Sequence, residues 1–241
     1  MKNLLLKLLD ILIPPVCALC NERVSESATL CPKCFAELNF ITKPYCKVCG
    51  RPFGCEVFGD MLCGHCLEKL PRFKKARSVL VYDGAAKKLI LAFKHGDRLD
   101  LGPLLVKVML RGAEELMPEV DIVMPVPLHR LRLLKRKYNQ SAILAKHLAK
   151  HFHKSYNLDI LKRVRSSRNQ GHLTASERRK NVMNAFCVKP SNILQDKTIL
   201  LVDDVLTTGA TANECAKVLL KAGAKQVFLL TFASTSPHFS K

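Results

Sequence analysis

Tryptophan is absent from this 241-residue sequence, and aromatic residues make up only 6% of it. So few large rings exclude recognition that rests mainly on stacking against nucleobases. Acidic residues are also scarce: 20 Asp and Glu stand against 39 Lys and Arg, a formal net charge of +19. That balance disfavours cationic ligands and favours polyanions, namely nucleic acid, phosphorylated metabolites or an anionic membrane surface. The opening stretch "MKNLLLKLLDILIPP" lacks a small-residue cleavage site and is interrupted by Lys7 and Asp10. It is too short to span a bilayer and does not read as a secretory signal. Leu5, Leu8, Leu9 and Leu12 share one helical face, so a short amphipathic helix ending before Pro14 is expected. Packing on the protein behind it is the expected role; contact with a membrane surface is the alternative. The expected compartment is the cytoplasm.

The charge is unevenly spread. Residues 129–180 hold fifteen Lys/Arg against two Asp/Glu, whereas residues 1–71 hold eight against seven. Most of the basicity therefore lies in one central segment.

Cysteine, by contrast, is plentiful, and its spacing is regular. Of eleven, eight form pairs separated by two residues: Cys17/Cys20, Cys31/Cys34, Cys46/Cys49 and Cys63/Cys66. Such a gap lets one tight turn present two sulfurs to one ion, and zinc takes four thiolates in a tetrahedron. Two zinc sites follow, grouped most simply in sequence as Cys17 to Cys34 and Cys46 to Cys66. A disulfide scaffold or iron–sulfur ligation are the alternatives; disulfides would need an oxidising compartment. Cys55 is left over, and Cys187 and Cys215 read as core.

Residues 1–70 are thus a small zinc-ribbon region stabilised by metal. "KLPRFKKARS" reads as a hinge. Residues 71–241 then alternate strand and helix, the pattern of a parallel α/β sheet. "SVLVY", "DIVMPVP", "KTILLVDD" and "QVFLLTFAST" are strands; "GAAKKLILAFKHG", "QSAILAKHLAKHF" and "TANECAKVLLKAG" are helices. The basic stretch "RVRSSRNQGHLTASERRKNV" shows no periodicity and reads as a loop.

"LLVDDVLTTGAT", residues 200–211, carries the most chemistry. A buried strand delivers Asp203 and Asp204 to the carboxyl edge of the sheet, where α/β folds bind ligands. The helix that follows opens with unsatisfied N–H groups and the positive end of its dipole, which suit a phosphate. Gly209 permits close approach, and Thr207, Thr208 and Thr211 add hydroxyls. The two carboxylates can accept hydrogen bonds from neighbouring ribose hydroxyls and assist a Mg²⁺. A phosphoacceptor receiver domain also carries an acidic pair after such a strand, but needs a later aspartate, and residues 205–241 contain none.

"ILLVDDVLTTGAT" resembles the phosphoribosyl pyrophosphate motif of type I phosphoribosyltransferases. With "PVPLHRLRLLKRKYNQSAILA", "RNQGHLTASERRKNVMNAF" and the paired cysteines, the chain resembles the ComF competence family over nearly its whole length. The resemblance implies a zinc ribbon joined to a phosphoribosyltransferase-like domain, and a part in handling incoming single-stranded DNA during natural transformation. It implies phosphoribosyl pyrophosphate with Mg²⁺ as ligand, with Asp203 and Asp204 as the catalytic pair. Thr207, Thr208, Gly209, Ala210 and Thr211 are the expected 5-phosphate loop; His129 and Arg130 lie on the expected pyrophosphate loop. Arg130, Arg132, Lys135, Arg136, Lys137 and Tyr138 are the expected DNA contacts, and other DNA-uptake proteins are expected partners. Asn139 and Gln140 belong to the same stretch. Lys94 is a candidate phosphate contact, and Arg163, Arg168, Gln170 and Arg178 are candidates for a lid. Two departures stand out. Lys137 stands where the family usually has glycine, and Thr207 stands where purine-salvage members of the wider fold carry an acidic base. A metabolic phosphoribosyltransferase with an unknown acceptor is the alternative reading.

Overall fold

A computed structural model describes residues 14–57, 59–95, 98–165 and 174–235. The expected N-terminal helix, Arg168 and Gln170 lie outside these residues. Strands β1 (Lys75–Val81), β2 (Ile122–Pro125), β3 (Ser155–Tyr156), β6 (Thr198–Leu206) and β7 (Gln226–Ser234) form one parallel sheet in the order β1-β7-β6-β2-β3. A separate antiparallel pair, β4 (Leu161–Arg163) and β5 (Phe186–Val188), brackets the basic segment that reads as a loop in the sequence.

The central strand explains its own composition. Along β6, Leu200 and Val202 enter one apolar cluster with α4 (Gly102–Ala113) and α6 (Gln140–His151). Ile199 and Leu201 enter another with α8 (Ala210–Lys221). Alternate side chains point to opposite faces and both faces are covered, so the strand reads as a continuous apolar run rather than an alternating one. The strand continues two residues past the acidic pair, so Asp203 and Asp204 belong to it and not to the loop that follows.

Three elements depart from the sequence reading. Helix α3 (Gly84–His95) is where expected, but α4 follows it with Pro103 in its first turn. Helix α5 (Arg130–Arg136) occupies part of the expected pyrophosphate loop. Helix α7 (Ala175–Val182) lies in the expected loop and starts at a capping box, in which Thr174 and Glu177 satisfy each other's backbone N–H. The expected hinge is packed instead: Phe73 is buried, the Arg72 N–H donates to Asn213 Oδ1 and the Lys74 N–H donates to the Val227 carbonyl. Cys215 is buried as expected, but Cys187 is exposed, because it occupies the outward position of the short strand β5.

The cysteine-rich front end holds short helices α1 (Pro32–Ala36) and α2 (Gly64–Glu68) and leans on the outer edge of β1. The Ile41 N–H donates to the Val79 carbonyl, the Val81 N–H to the Asn39 carbonyl and the Ala76 N–H to the Val48 carbonyl. Arg77 clamps the same seam. It holds Glu115 with Nε and Nη2 at 2.6 and 2.5 Å, and stacks 4.7 Å from the Tyr45 ring. The Tyr45 hydroxyl donates to Glu115 at 2.9 Å.

Gly50 sits where these parts meet, at φ +69°, and a Cβ there would lie 2.6 Å from the Ala76 carbonyl oxygen. Backbone cannot move aside as a side chain can. Gly50→Ala is expected to cost about 1–3 kcal/mol. Gly54→Ala, at a position with open space around it, should change stability by less than about 0.5 kcal/mol. Chemical denaturation of the two variants checks the difference.

Candidate functional site

The eight paired cysteines converge into two groups. The sulfurs of Cys17, Cys20, Cys31 and Cys34 all lie within 4.8 Å of one another, as do those of Cys46, Cys49, Cys63 and Cys66. Cys20 and Cys31 are 3.6 Å apart, and Cys49 and Cys63 are 3.5 Å apart. A tetrahedron with Zn–S bonds of about 2.3 Å places its sulfurs about 3.8 Å apart, whereas bonded sulfurs lie about 2.05 Å apart. The donor set and spacing therefore fit Zn²⁺ and match the sequential grouping. Burial works to raise the Cys17 thiol, but N–H donors from Cys20, Cys31 and Leu19 outweigh it and bring it to about 6. Burial likewise opposes, and donors from Cys63, Cys49 and Val48 reverse, the balance at Cys46, which falls to about 7. Cys34, Cys49 and Cys66 are pushed up, Cys66 to about 12, because burial and adjacent thiolates disfavour further charge. A dication at each centre relieves that repulsion. Cys55 is exposed and belongs to neither group.

The second constellation lies at the carboxyl edge of the sheet. Asp203 Oδ1 accepts from the Ser141 hydroxyl at 2.8 Å and from the Asp204 N–H at 2.9 Å. Asp204 Oδ1 meets Lys94 Nζ at 2.9 Å. Burial and the adjacent Asp204 charge push Asp203 up to about 7, against the pull of Ser141 and Lys94. Lys94 is held by its backbone. The Tyr138 hydroxyl donates to the Phe93 carbonyl at 2.8 Å, and Gln140 Nε2 to the Lys94 carbonyl at 3.4 Å. Asn139 caps α6 by accepting from the Ser141 N–H and also donates to the Val126 carbonyl, tying the helix start to the end of β2.

Downstream of the pair, Gly209 adopts φ +72° as the N-cap of α8. The Thr208 hydroxyl accepts from the Ala210 N–H at 3.4 Å. Thr207, Thr208, Gly209, Ala210 and Thr211 are all partly accessible. The loop thus ends in a glycine-initiated helix start, a geometry suited to a phosphate.

The structure separates the remaining candidates. His129 caps α5, its Nδ1 accepting from the Leu131 N–H, while Arg130 is exposed. Lys137 ends α5 at φ +65°. Glycine adopts this left-handed conformation without strain, which accounts for the glycine usual at this position in the resembling family. Arg132 is partly buried, and burial together with Arg136 lowers its pKa. The side chain of Lys135 lies outside the described residues. Tyr138 is partly buried and engaged with Phe93. Arg163 is not on a lid: it is buried at the end of β4 and stacks on Phe186 at 5.2 Å. Arg178 lies on α7. Ser141 escaped the sequence reading, although its position two residues after a helix-capping asparagine was a signal.

Each chain is expected to carry two zinc ions, and Cys31→Ser to unfold the first ribbon, since a structural zinc site can contribute on the order of 10 kcal/mol. Elemental analysis showing less than one zinc per chain would overturn the assignment.

Comparison with known proteins agrees with this arrangement. Residues 8–67 match a double zinc ribbon domain, and residues 139–237 match a phosphoribosyl transferase domain. The chain is 31% identical over 219 residues to the DNA utilization protein YhgH of Salmonella typhi, covering 88% of this chain and 87% of that one. It is 32% identical over 206 residues to competence protein F of Haemophilus influenzae, covering 82% and 87%. It is 26% identical over 230 residues to competence protein ComFC of Bacillus subtilis, covering 86% and 90%. On the cysteine tetrads, the type I phosphoribosyltransferase-like parallel sheet and relatives aligned along most of their length, the chain belongs to the ComF family, in which a double zinc ribbon precedes a phosphoribosyltransferase domain.

Proposed function

We propose that this chain is a cytoplasmic competence protein that handles incoming single-stranded DNA. Its front end, residues 1–70, is a zinc-bound unit, and residues 71–241 bind phosphoribosyl pyrophosphate with Mg²⁺. The observation that carries the ligand reading is the junction of a desolvated acidic pair with a glycine-initiated helix start. One end suits ribose hydroxyls and a metal; the other suits a 5-phosphate. Eight thiol ligands kept for metal fit a reducing compartment. The relatives named for competence and DNA utilization support the biological role, and other DNA-uptake proteins are the expected partners.

Phosphoribosyl pyrophosphate with Mg²⁺ supplies an anomeric carbon from which pyrophosphate can leave. Asp203 and Asp204 accept from two adjacent ribose hydroxyls and hold the sugar. Lys94 balances Asp204 until the ligand arrives. Thr207 to Thr211 grip the 5-phosphate through backbone N–H groups, and Arg130 beside the His129-capped turn faces the pyrophosphate. Thr207 offers no carboxylate for deprotonating a purine, which disfavours purine salvage. The exposed cations of α5 and its end, Arg130 and Lys137, attract DNA backbone phosphates, which carry no sequence information.

Phosphoribosyl pyrophosphate with Mg²⁺, at about 100 times its dissociation constant, is expected to add roughly 2.7 kcal/mol of stability. Asp203→Asn with Asp204→Asn should remove that gain while leaving the fold intact; a full thermal shift in the double variant would show the pair misassigned.

Labelled single-stranded DNA, titrated at several salt concentrations, should give a log–log slope near −4 if about six phosphates are neutralised. Arg130→Glu with Lys137→Glu should shrink the slope by about 1.4, about 0.7 for each lost phosphate contact. A flat slope in the unaltered protein would favour the metabolic-enzyme reading.

A further inference from the structure

A cavity of about 820 Å³ lies between the second cysteine cluster, α7 and the loop that leads into α8. Asp203, Asp204, Lys94 and the residues of α5 do not line it. It therefore shares the Thr207–Ala210 loop with the proposed phosphoribosyl site but reaches neither the acidic pair nor the α5 cations.

Its walls come from two distant parts of the chain. Arg51, His65 and Lys69 line it from the second cysteine ribbon; Arg179 and Lys180 line it from α7, and Lys217 from α8. Glu214 is its one acidic lining residue. That carboxylate is already engaged, accepting from Lys217 Nζ at 3.1 Å and from the Asn184 N–H at 3.0 Å. The net field in the cavity is strongly positive. Apolar surface also lines it: Leu70 and Met183 are 61% and 54% exposed, with Phe73 and Leu206 nearby. Apolar surface grouped with cations in one concavity marks a place where a ligand with both anionic and apolar parts can bind.

We infer that this cavity holds a segment of single-stranded nucleic acid, with backbone phosphates on the two cationic walls and bases against Leu70 and Met183. The inference rests on the DNA-handling reading above and adds a second contact surface, built jointly by the zinc ribbon and α7. Cations spread over separate walls suit several phosphates in a row better than one anionic metabolite. The concave shape does not fit a flat lipid surface. A duplex keeps its bases paired inside and cannot offer them to apolar side chains, whereas a single strand can. The 5-phosphate loop, Thr207 to Ala210, forms part of the same cavity wall, so the strand runs beside the phosphoribosyl site and not at a remote face.

The test uses the full-length zinc-loaded protein and a fluorescent oligothymidylate. One variant carries Arg51→Glu and Lys69→Glu; a second carries Arg179→Glu and Lys180→Glu; a third carries Leu70→Glu. Each is checked for unchanged zinc content and melting temperature before titration, and any that fails is replaced by the charge-neutral Gln form. Each charge-reversal pair is expected to lower affinity at least tenfold and to shrink the salt slope by about 0.7 for each lost phosphate contact. Leu70→Glu should weaken binding too. Full affinity in all three, with binding lost in the Arg130→Glu, Lys137→Glu protein, would overturn the cavity assignment and leave the function standing. Absence of oligonucleotide binding in the unaltered protein would remove both.

Discussion

Two adjacent carboxylates at the end of a buried strand set the terms for this fold. Neither can be desolvated cheaply, and each raises the energetic cost of charging the other. The structure answers with counterparts drawn from separate elements: Lys94 from the end of α3, and Ser141 from the first turn of α6. Those counterparts are themselves located by Tyr138, Asn139 and Gln140, whose side chains bond backbone carbonyls of α3 and the β2 end. A short stretch of polar side chains thereby connects three elements around one electrostatic problem. Lys94 and Ser141 thereby fix the positions of the two carboxylates that, on the function proposed above, hold ribose hydroxyls and a metal ion.

The parts legible in the sequence were those whose physics is local. A strand buried on both faces must be continuously apolar, so β6 was visible; paired thiols two residues apart must turn tightly, so the tetrads were visible. Helix α5 and helix α7 were not, because their basic side chains conceal any apolar stripe. The capping box at Thr174 and Glu177 is nevertheless written in the sequence as Thr-x-x-Glu and marks the start of α7. Arg163 illustrates the opposite limit: nothing in "LKRVRSS" distinguishes a solvated arginine from one buried against Phe186. The 820 Å³ cavity was equally invisible, because its walls come mainly from residues 49–73 and 178–217, which no local pattern links.

The zinc ribbons emerge from this as more than a stabilising appendage. Arg77, Glu115 and Tyr45 lock the second ribbon to the sheet, and Gly50 allows its backbone to reach β1. Metal held in the ribbon is therefore mechanically connected to the strand nearest the domain seam. Charge and apolar surface presented by Arg51, Lys69 and Leu70 hold fixed positions relative to the loop at Thr207.

The edge position of β1 has a consequence for biosynthesis. Its sheet partner is β7, with Lys75 opposite Phe228 and Val81 opposite Ser234. A ribosome delivers that partner about 150 residues later, so at usual elongation rates β1 emerges with one side unpaired for seconds or longer. Unpaired strand edges invite association between chains. The ribbons, which are made first, already occupy the other side through residues 39–41 and 48. Zinc capture early in synthesis thus halves the exposed edge before the sheet can close, and the order of parts along the chain becomes a safeguard against nascent chains pairing with one another.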